Sequence, residues 1–409
     1  MRRARWRVSL IFLCLAACCR TGQADGNLTS SDEIAAMREL ADQGVAYYVS
    51  SREALRREAK RSWRWGSVTG TFTTTLEGGE KTCHPVGDAG PADTLKGGAP
   101  DAYAKILSHH FGSGSDAEPD ADLAEEARAR VLDWIDTQGF HGPGGHDWSG
   151  QNQCILELGI SIPVWIETAI LLEGTPTWTS ADRASFARWL AREVYPKVAW
   201  ASRVRRNNWG AAGSLSASAI ARYVAGWVPE LVEVEPEPRT LAADSAWREH
   251  DAIQLARIGT HWEGDSECER HGIQDHGGIP DELRRGAGGC DATSIPHEDD
   301  RGLTYQTMQV ELLVYHAELL RRTGDDTLFS AKTPGGVPAL LQSILFVIDN
   351  PSPGGASWPW GPRTGTLAVA YGAYGDSRLL TATQDRSSFR GGRTLPYALL
   401  APAGERITR

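Results

Sequence analysis

The chain has 409 residues and a formal charge of −10, with 41% hydrophobic and 23% charged residues. That balance excludes a disordered or collagen-like chain and suffices to bury a large core. No long Lys/Arg block interrupts the acidic background, which argues against a nucleic-acid partner.

Residues 1–17 read as an address. Arg2, Arg3, Arg5 and Arg7 form a basic start, and residues 8–17 form an apolar run too short to span a bilayer. The run ends in Leu15-Ala16-Ala17-Cys18, which resembles a bacterial lipobox and implies lipidation at Cys18. The alternative is an ordinary secretory signal cut near Ala24. Either way the expectation is export, to the periplasm or the outer membrane, with contact to a membrane only through the N-terminal lipid. Loss of residues 1–17 leaves 38 basic and 52 acidic residues, a charge of −14. No other apolar run is expected to cross a bilayer.

Residues 18–32 read as a polar tether. Helical periodicity then dominates 33–350. Ser31-Asp32 can cap a first helix over 33–60, with Ile34, Met37, Leu40 and Ala41 on one face. Residues 66–100 are rich in Gly, Pro and Thr and suggest a long loop with a short strand near 71–76. Further helices are expected over 101–111, 121–137, 155–173, 180–201, 211–228, 241–258, 303–323 and 337–349. A Gly-, His- and Asp-rich segment fills 259–302, and so long a loop is functional or disordered. From 351 to 409 the periodicity fades into a small irregular C-terminal segment. Helices of ~15–20 residues joined by loops imply antiparallel pairs. The expected class is all-α, an incomplete α/α toroid.

Cys268–Cys290 would close a loop within the variable segment, and Cys83–Cys154 is the natural second pair in an exported chain. A zinc site from Cys268, His271, His276 and Cys290 is the alternative, but its spacing matches no finger pattern.

Three segments can carry chemistry. The first is Arg203 to Gly210, where Asn207, Asn208 and Trp209 precede an expected helix. Asn is a good N-cap, and amide donors at a helix N-terminus also suit an anionic group. The second reads I-Q-D-H-G-G-I-P-D-E-L-R-R-G over 273–286. The third places Arg301 one turn before Tyr305, where a guanidinium can stabilise a phenolate. The helix after Asn208 runs away and the next runs back. His261 therefore belongs on the face that carries Asn208 and Tyr305, and His250, mid-helix, does not.

These segments resemble the alginate lyase superfamily, polysaccharide lyase families 5 and 38. The marks are the Asn207-Asn208 pair opening a helix, the D-G-x-x-P-x-E-L-x-R-like stretch over 275–285, and Arg301 with Tyr305. The resemblance spans roughly 100–350. It implies an incomplete α/α toroid that cleaves an anionic, uronate-containing polysaccharide by β-elimination, without metal or other cofactor. Tyr305 would move the proton, while Asn208, Arg285 and His261 would neutralise the uronate carboxylate. Asn207, Trp209 and Arg301 would bind substrate. Family 5 has His after the Asn pair, where this chain has Trp209, so His261, with His271 behind it, takes the imidazole role. About a dozen residues are inserted between Arg285 and Arg301.

Trp148, Gln151 and Asn152, in D-W-S-G-Q-N-Q-C, suggest sugar subsites or a helix-entry loop. Two rival functions stay open. A glycoside hydrolase on the same architecture would need two carboxylates from among Glu263, Asp265, Asp281 and Glu282. A non-catalytic glycan-binding lipoprotein would use the surplus of Trp, 15 against 10 Tyr and 8 Phe.

Overall fold

The computed structural model describes residues 30–60, 70–77, 80–85, 94–111, 121–142, 148, 152–259, 270–285, 290, 301–350 and 364–384. The expected signal peptide, Cys18, the tether up to residue 29, Gln151, His261, Glu263, Asp265 and Cys268 lie outside them.

Two helices, α1 (Ser31–Asp42) and α2 (Ala46–Ala59), replace the single helix expected over 33–60. Ser30 rather than Ser31 is the cap. Its hydroxyl accepts from the Glu33 N–H at 3.2 Å, and the Glu33 carboxylate accepts from the Ser30 N–H at 2.8 Å. The chain then breaks at Gly44, whose φ of 79° lies in the left-handed region that glycine adopts without penalty.

Strands β1 (Gly70–Glu77) and β2 (Glu80–Pro85) pair antiparallel, and β1 also pairs in parallel with β3 (Thr137–His141). Only the first was expected. Phe72 and Phe140 turn inward from β1 and β3 and pack on each other, and Phe72 also packs on Trp134. The Cys83–Cys154 disulfide ties β2 to the following core helix, in agreement with the expected pairing. Cys290 is also disulfide-bonded, which removes its thiolate from any zinc site.

Next come α3 (Thr94–Phe111), α4 (Ala121–Leu132) and α5 (Gln153–Leu172). By length and hydropathy α5 could cross a membrane, which corrects the expectation that no such run exists. All of its apolar window is buried inside the protein, so α5 is the core helix, packed against α3 and the later α8.

The helix expected over 180–201 is three pieces: α6 (Ser180–Trp189), a π turn over Leu190–Val194, and α7 (Tyr195–Val204). Pro196 stands in the first turn of α7. Proline lacks the N–H that a continuous helix would need there, and the π turn absorbs the defect.

Helix α8 (Asn208–Val224) is central, touching α5 and α7. Gly159 of α5 lets α8 approach so closely that a Cβ there would lie 2.9 Å from the Ala212 Cβ. The hairpin β4 (Glu230–Glu233) and β5 (Arg239–Ala242) leads into α9 (Ala243–Gly259). Gln254 bonds the Ala211 carbonyl and Asp251 the Ser218 hydroxyl, so α8 and α9 run antiparallel.

After these come α10 (Pro280–Leu283), α11 (Arg301–Arg322), α12 (Thr327–Ser330), α13 (Ala339–Asp349), α14 (Thr364–Tyr374) and α15 (Ser377–Gln384). The last two correct the expectation of an irregular segment after 350. Leu367, Val369, Ala370 and Leu379 are buried, and α14 packs on α11. Gly365 and Gly372 within α14 dilute its helical signal.

Candidate active site

Helices α7 and α8 are joined by only three residues. Asn207 caps α8, its Oδ1 accepting from the Trp209 N–H at 3.1 Å. From α9, the Arg257 guanidinium donates to the carbonyls of Ser202 at 2.9 Å, Arg205 at 3.0 Å and Arg206 at 3.2 Å. It also bonds the Ser214 hydroxyl and the Gln254 side chain. Burial pushes its pKa down to about 9, so it remains a cation at neutral pH and suits the C-terminal carbonyls of α7. Gly210 is required here, because a Cβ would stand 1.7 Å from the Arg205 carbonyl oxygen.

The 273–285 stretch forms a tight turn and then α10. Gly277 takes a φ of 96°, and a Cβ on it would meet the Gln342 carbonyl oxygen at 2.3 Å. Gln306 clamps the turn to α11: its Oε1 accepts from the Ile279 N–H at 3.0 Å, and its Nε2 donates to the Gly277 carbonyl at 3.0 Å. Gly302 permits α11 to touch α10, since a Cβ there would lie 2.4 Å from the Leu283 carbonyl oxygen. The glycines and Gln306 thus dock the 273–285 turn on α11, beside Tyr305.

Three distant segments meet as a result. Arg285 donates from Nη2 to the Asn208 Oδ1 at 2.9 Å and to the Glu282 carboxylate. Its guanidinium lies 4.1 Å from the Tyr305 ring centroid. Glu282, fully buried, accepts the Asn208 main-chain N–H at 2.6 Å. The Asn208 Nδ2 donates to the Met308 sulfur at 3.1 Å, a weak acceptor. Burial lowers the Arg285 pKa, opposed by the charges of Asp281 and Tyr305. Burial also pushes the Asp281 carboxyl up, but the hydrogen bonds from His271 and Arg284 outweigh it and hold the group below its ordinary value.

Beside this cluster lies an aromatic one. The Arg205 guanidinium sits 5.4 Å from the Trp200 ring and 5.6 Å from the Trp209 ring. Trp148 packs on Trp200 at 6.2 Å between centroids, with the Lys197 ammonium 5.7 Å from the Trp148 ring.

Of the residues singled out in the sequence, Asn208, Arg285 and Tyr305 are brought together. Trp148 and Trp209 join the neighbouring aromatic cluster, and Asn207 has its Oδ1 committed to the cap. Asn152 is a correction. It is fully buried, its Nδ2 donates to the Phe140 carbonyl at 2.7 Å, and its Oδ1 caps α5, so it joins α5 to β3 and lines no subsite. Arg301 opens α11, and its side chain is not among those described. His250 is buried against Tyr195 and Ser202. His271 stands 3.5 Å from Asp281. Sequence reasoning missed Met308, Trp200 and the bridging part of Glu282. The Glu282–Arg285 spacing of three within one helical turn is the signal that could have found the last.

No family model matches this chain, and no curated protein does. Among solved structures, an alginate lyase from Bacteroides ovatus superposes with a TM-score of 0.59 over 92% of this chain and 99% of its own, at 14% sequence identity. The chain has an alginate lyase-like fold. At that identity the likeness concerns the fold, and the α/α toroid of antiparallel helix pairs is the class expected from the sequence. The Asn208–Arg285–Tyr305 cluster lies where α8, α10 and α11 of this fold converge.

Proposed function

We propose that the chain is a polysaccharide lyase that cleaves a uronate-containing polymer by β-elimination, as a relative of polysaccharide lyase families 5 and 38. The observation that carries this reading is the contact of Arg285 with both the Asn208 amide and the Tyr305 ring. The alginate lyase-like fold supports it.

The C5 proton of a uronate is hard to remove while the adjacent carboxylate is charged. Donors from Asn208 and Arg285 would delocalise that charge and stabilise the enolate-like intermediate. The Tyr305 phenolate would take the C5 proton. The electron pair left on C5 forms the C4–C5 double bond, the C4–O4 bond breaks, and the phenol returns a proton to O4. The products are an unsaturated non-reducing end and a new reducing end. His261 is the candidate second acid–base group or carboxylate partner.

The hydrolase alternative is less favoured. Among its candidate carboxylates, Asp281 is engaged by Arg284 and His271, and Glu282 by Arg285. Neither is held as a free acid or as a base for water.

We further propose export with lipid on Cys18. The Cys83–Cys154 disulfide supports an oxidising compartment, and mass spectrometry of the mature N-terminus tests the lipid. For activity, the test is a panel of mannuronate, guluronate and glucuronate polymers followed by ultraviolet absorbance. Elimination creates an absorbing double bond. Cleavage without absorbance would identify a hydrolase, and binding without cleavage a glycan-binding protein.

A further inference from the structure

We propose that Met308 is a reversible oxidation site that controls the Asn208 amide: as a thioether it gives way to substrate, and as a sulfoxide it holds the amide donor and shuts the site. The effect on turnover rests on the lyase reading above, while the modification itself does not.

Two contacts fix how Asn208 stands. Arg285 carries only donors, so the amide end that faces it is the Oδ1 oxygen, which accepts from Nη2 at 2.9 Å. The other end is therefore the Nδ2 donor, the end that a carboxylate needs. It meets the Met308 sulfur at 3.1 Å and has no other acceptor among the described residues. Asn208 is only 1% exposed, whereas Met308 is partly exposed. A carboxylate thus reaches this donor by displacing the thioether beside it.

A thioether suits that exchange. Sulfur is a weak acceptor, so the bond given up is small. The unbranched side chain has three rotatable bonds and repacks easily. A strong acceptor in the same place would compete with the substrate, because a full hydrogen bond must then be broken.

Oxidation makes such an acceptor. Hydrogen peroxide transfers one oxygen atom to the sulfur, its O–O bond breaks, and water leaves. The thioether is oxidised to the sulfoxide, the peroxide is reduced, and no other bond of the side chain breaks. The new oxygen sits on a side chain that already touches Nδ2. It also falls one turn from Tyr305, since residues three apart on a helix are surface neighbours.

The chain offers few competitors for the oxidant. Its three methionines are Met1, Met37 and Met308. Met37 is fully buried in the core. The described cysteines, Cys83, Cys154 and Cys290, are disulfide-bonded and carry no thiol. Among the described sulfur groups, peroxide acting on the folded protein should reach Met308 first.

The test treats the wild type and Met308→Leu with hydrogen peroxide and then removes it. Ultraviolet-absorbing product on a uronate polymer, thermal melts and peptide mass spectrometry follow, each protein being compared with its own untreated sample. The wild-type Met308 peptide should gain one oxygen in a protein that stays folded. Its kcat/KM should fall roughly fivefold to tenfold, the scale of one hydrogen bond. A methionine sulfoxide reductase should restore mass and rate together. Met308→Leu has no sulfur there, so its treated and untreated rates should agree. An unoxidised Met308 peptide, an oxidised wild type with an unchanged rate or an unfolded chain, or an equal loss in Met308→Leu would each overturn the proposal while leaving the lyase reading standing. A wild type that eliminates no uronate polymer would remove both the lyase reading and the effect on turnover.

Discussion

Glu282 bridges Asn208 and Arg285. One carboxylate oxygen takes the Asn208 main-chain N–H at 2.6 Å, and the other takes the Arg285 guanidinium. The first contact also places a negative group at the positive N-terminus of α8. With Glu282 in place, Arg285 is held against both the Asn208 amide and the Tyr305 ring.

Removing the bridge should therefore cost both stability and activity. Glu282→Ala leaves the Arg285 cation half-buried and unpaired, a change expected to cost roughly 3 kcal/mol or more. Glu282→Gln keeps an acceptor for the Asn208 N–H and should be better folded yet still impaired in turnover. Thermal melts beside initial rates separate the two effects. Gln with unchanged rates would mean that the charge of Glu282 does not matter to the site.

Gly210→Ala tests the connection that carries Asn208. The added methyl would overlap the Arg205 carbonyl oxygen at 1.7 Å. The backbone must move, so a loss of at least roughly 1–3 kcal/mol is expected, together with weaker activity. A variant as stable and active as the wild type would mean that the connection is not held as described.

His250 sets an acid limit. Burial, and then the nearby Arg203 cation, push its pKa down to about 3 from an ordinary 6.5. The folded state thus binds this proton less readily than the unfolded one. Its contribution to stability is present above pH 6.5 and is lost as pH falls toward 3. At pH 5 the loss is about 2 kcal/mol. Denaturant melts at pH 7 and pH 5 should show a larger drop for the wild type than for His250→Gln. Equal drops would contradict the burial of a neutral imidazole.

Much of this was legible in the sequence, and what was missed has identifiable causes. Long periodic helices such as α5 and α11 declare themselves through apolar spacing. The break at Gly44 did not, because Ile34, Met37, Leu40 and Ala41 continue smoothly toward it. The π turn before Pro196 was hidden for the same reason. The strands β2 and β3 are short and depend on β1, a non-local partner. In the site, Asn208, Arg285 and Tyr305 stood out as residue types in a known order. Glu282 looked like one acidic loop residue among several, because its role comes from the approach of α8. Asn152 misled in the opposite sense: its neighbours Trp148 and Gln151 suggested a cleft, and its amide closes a joint in the core.

Tyr305, held against Arg285, is expected to move the proton. Tyr305→Phe removes one oxygen and keeps the ring beneath the guanidinium. The decisive measurement is the rate of ultraviolet-absorbing product formation on the best uronate polymer, taken for wild type and Tyr305→Phe with matched thermal melts. The expected result is a loss of roughly a hundredfold or more in a variant that melts like the wild type. A folded Tyr305→Phe protein with near-normal elimination would show that Tyr305 is only a packed aromatic, and the proposed chemistry would be wrong.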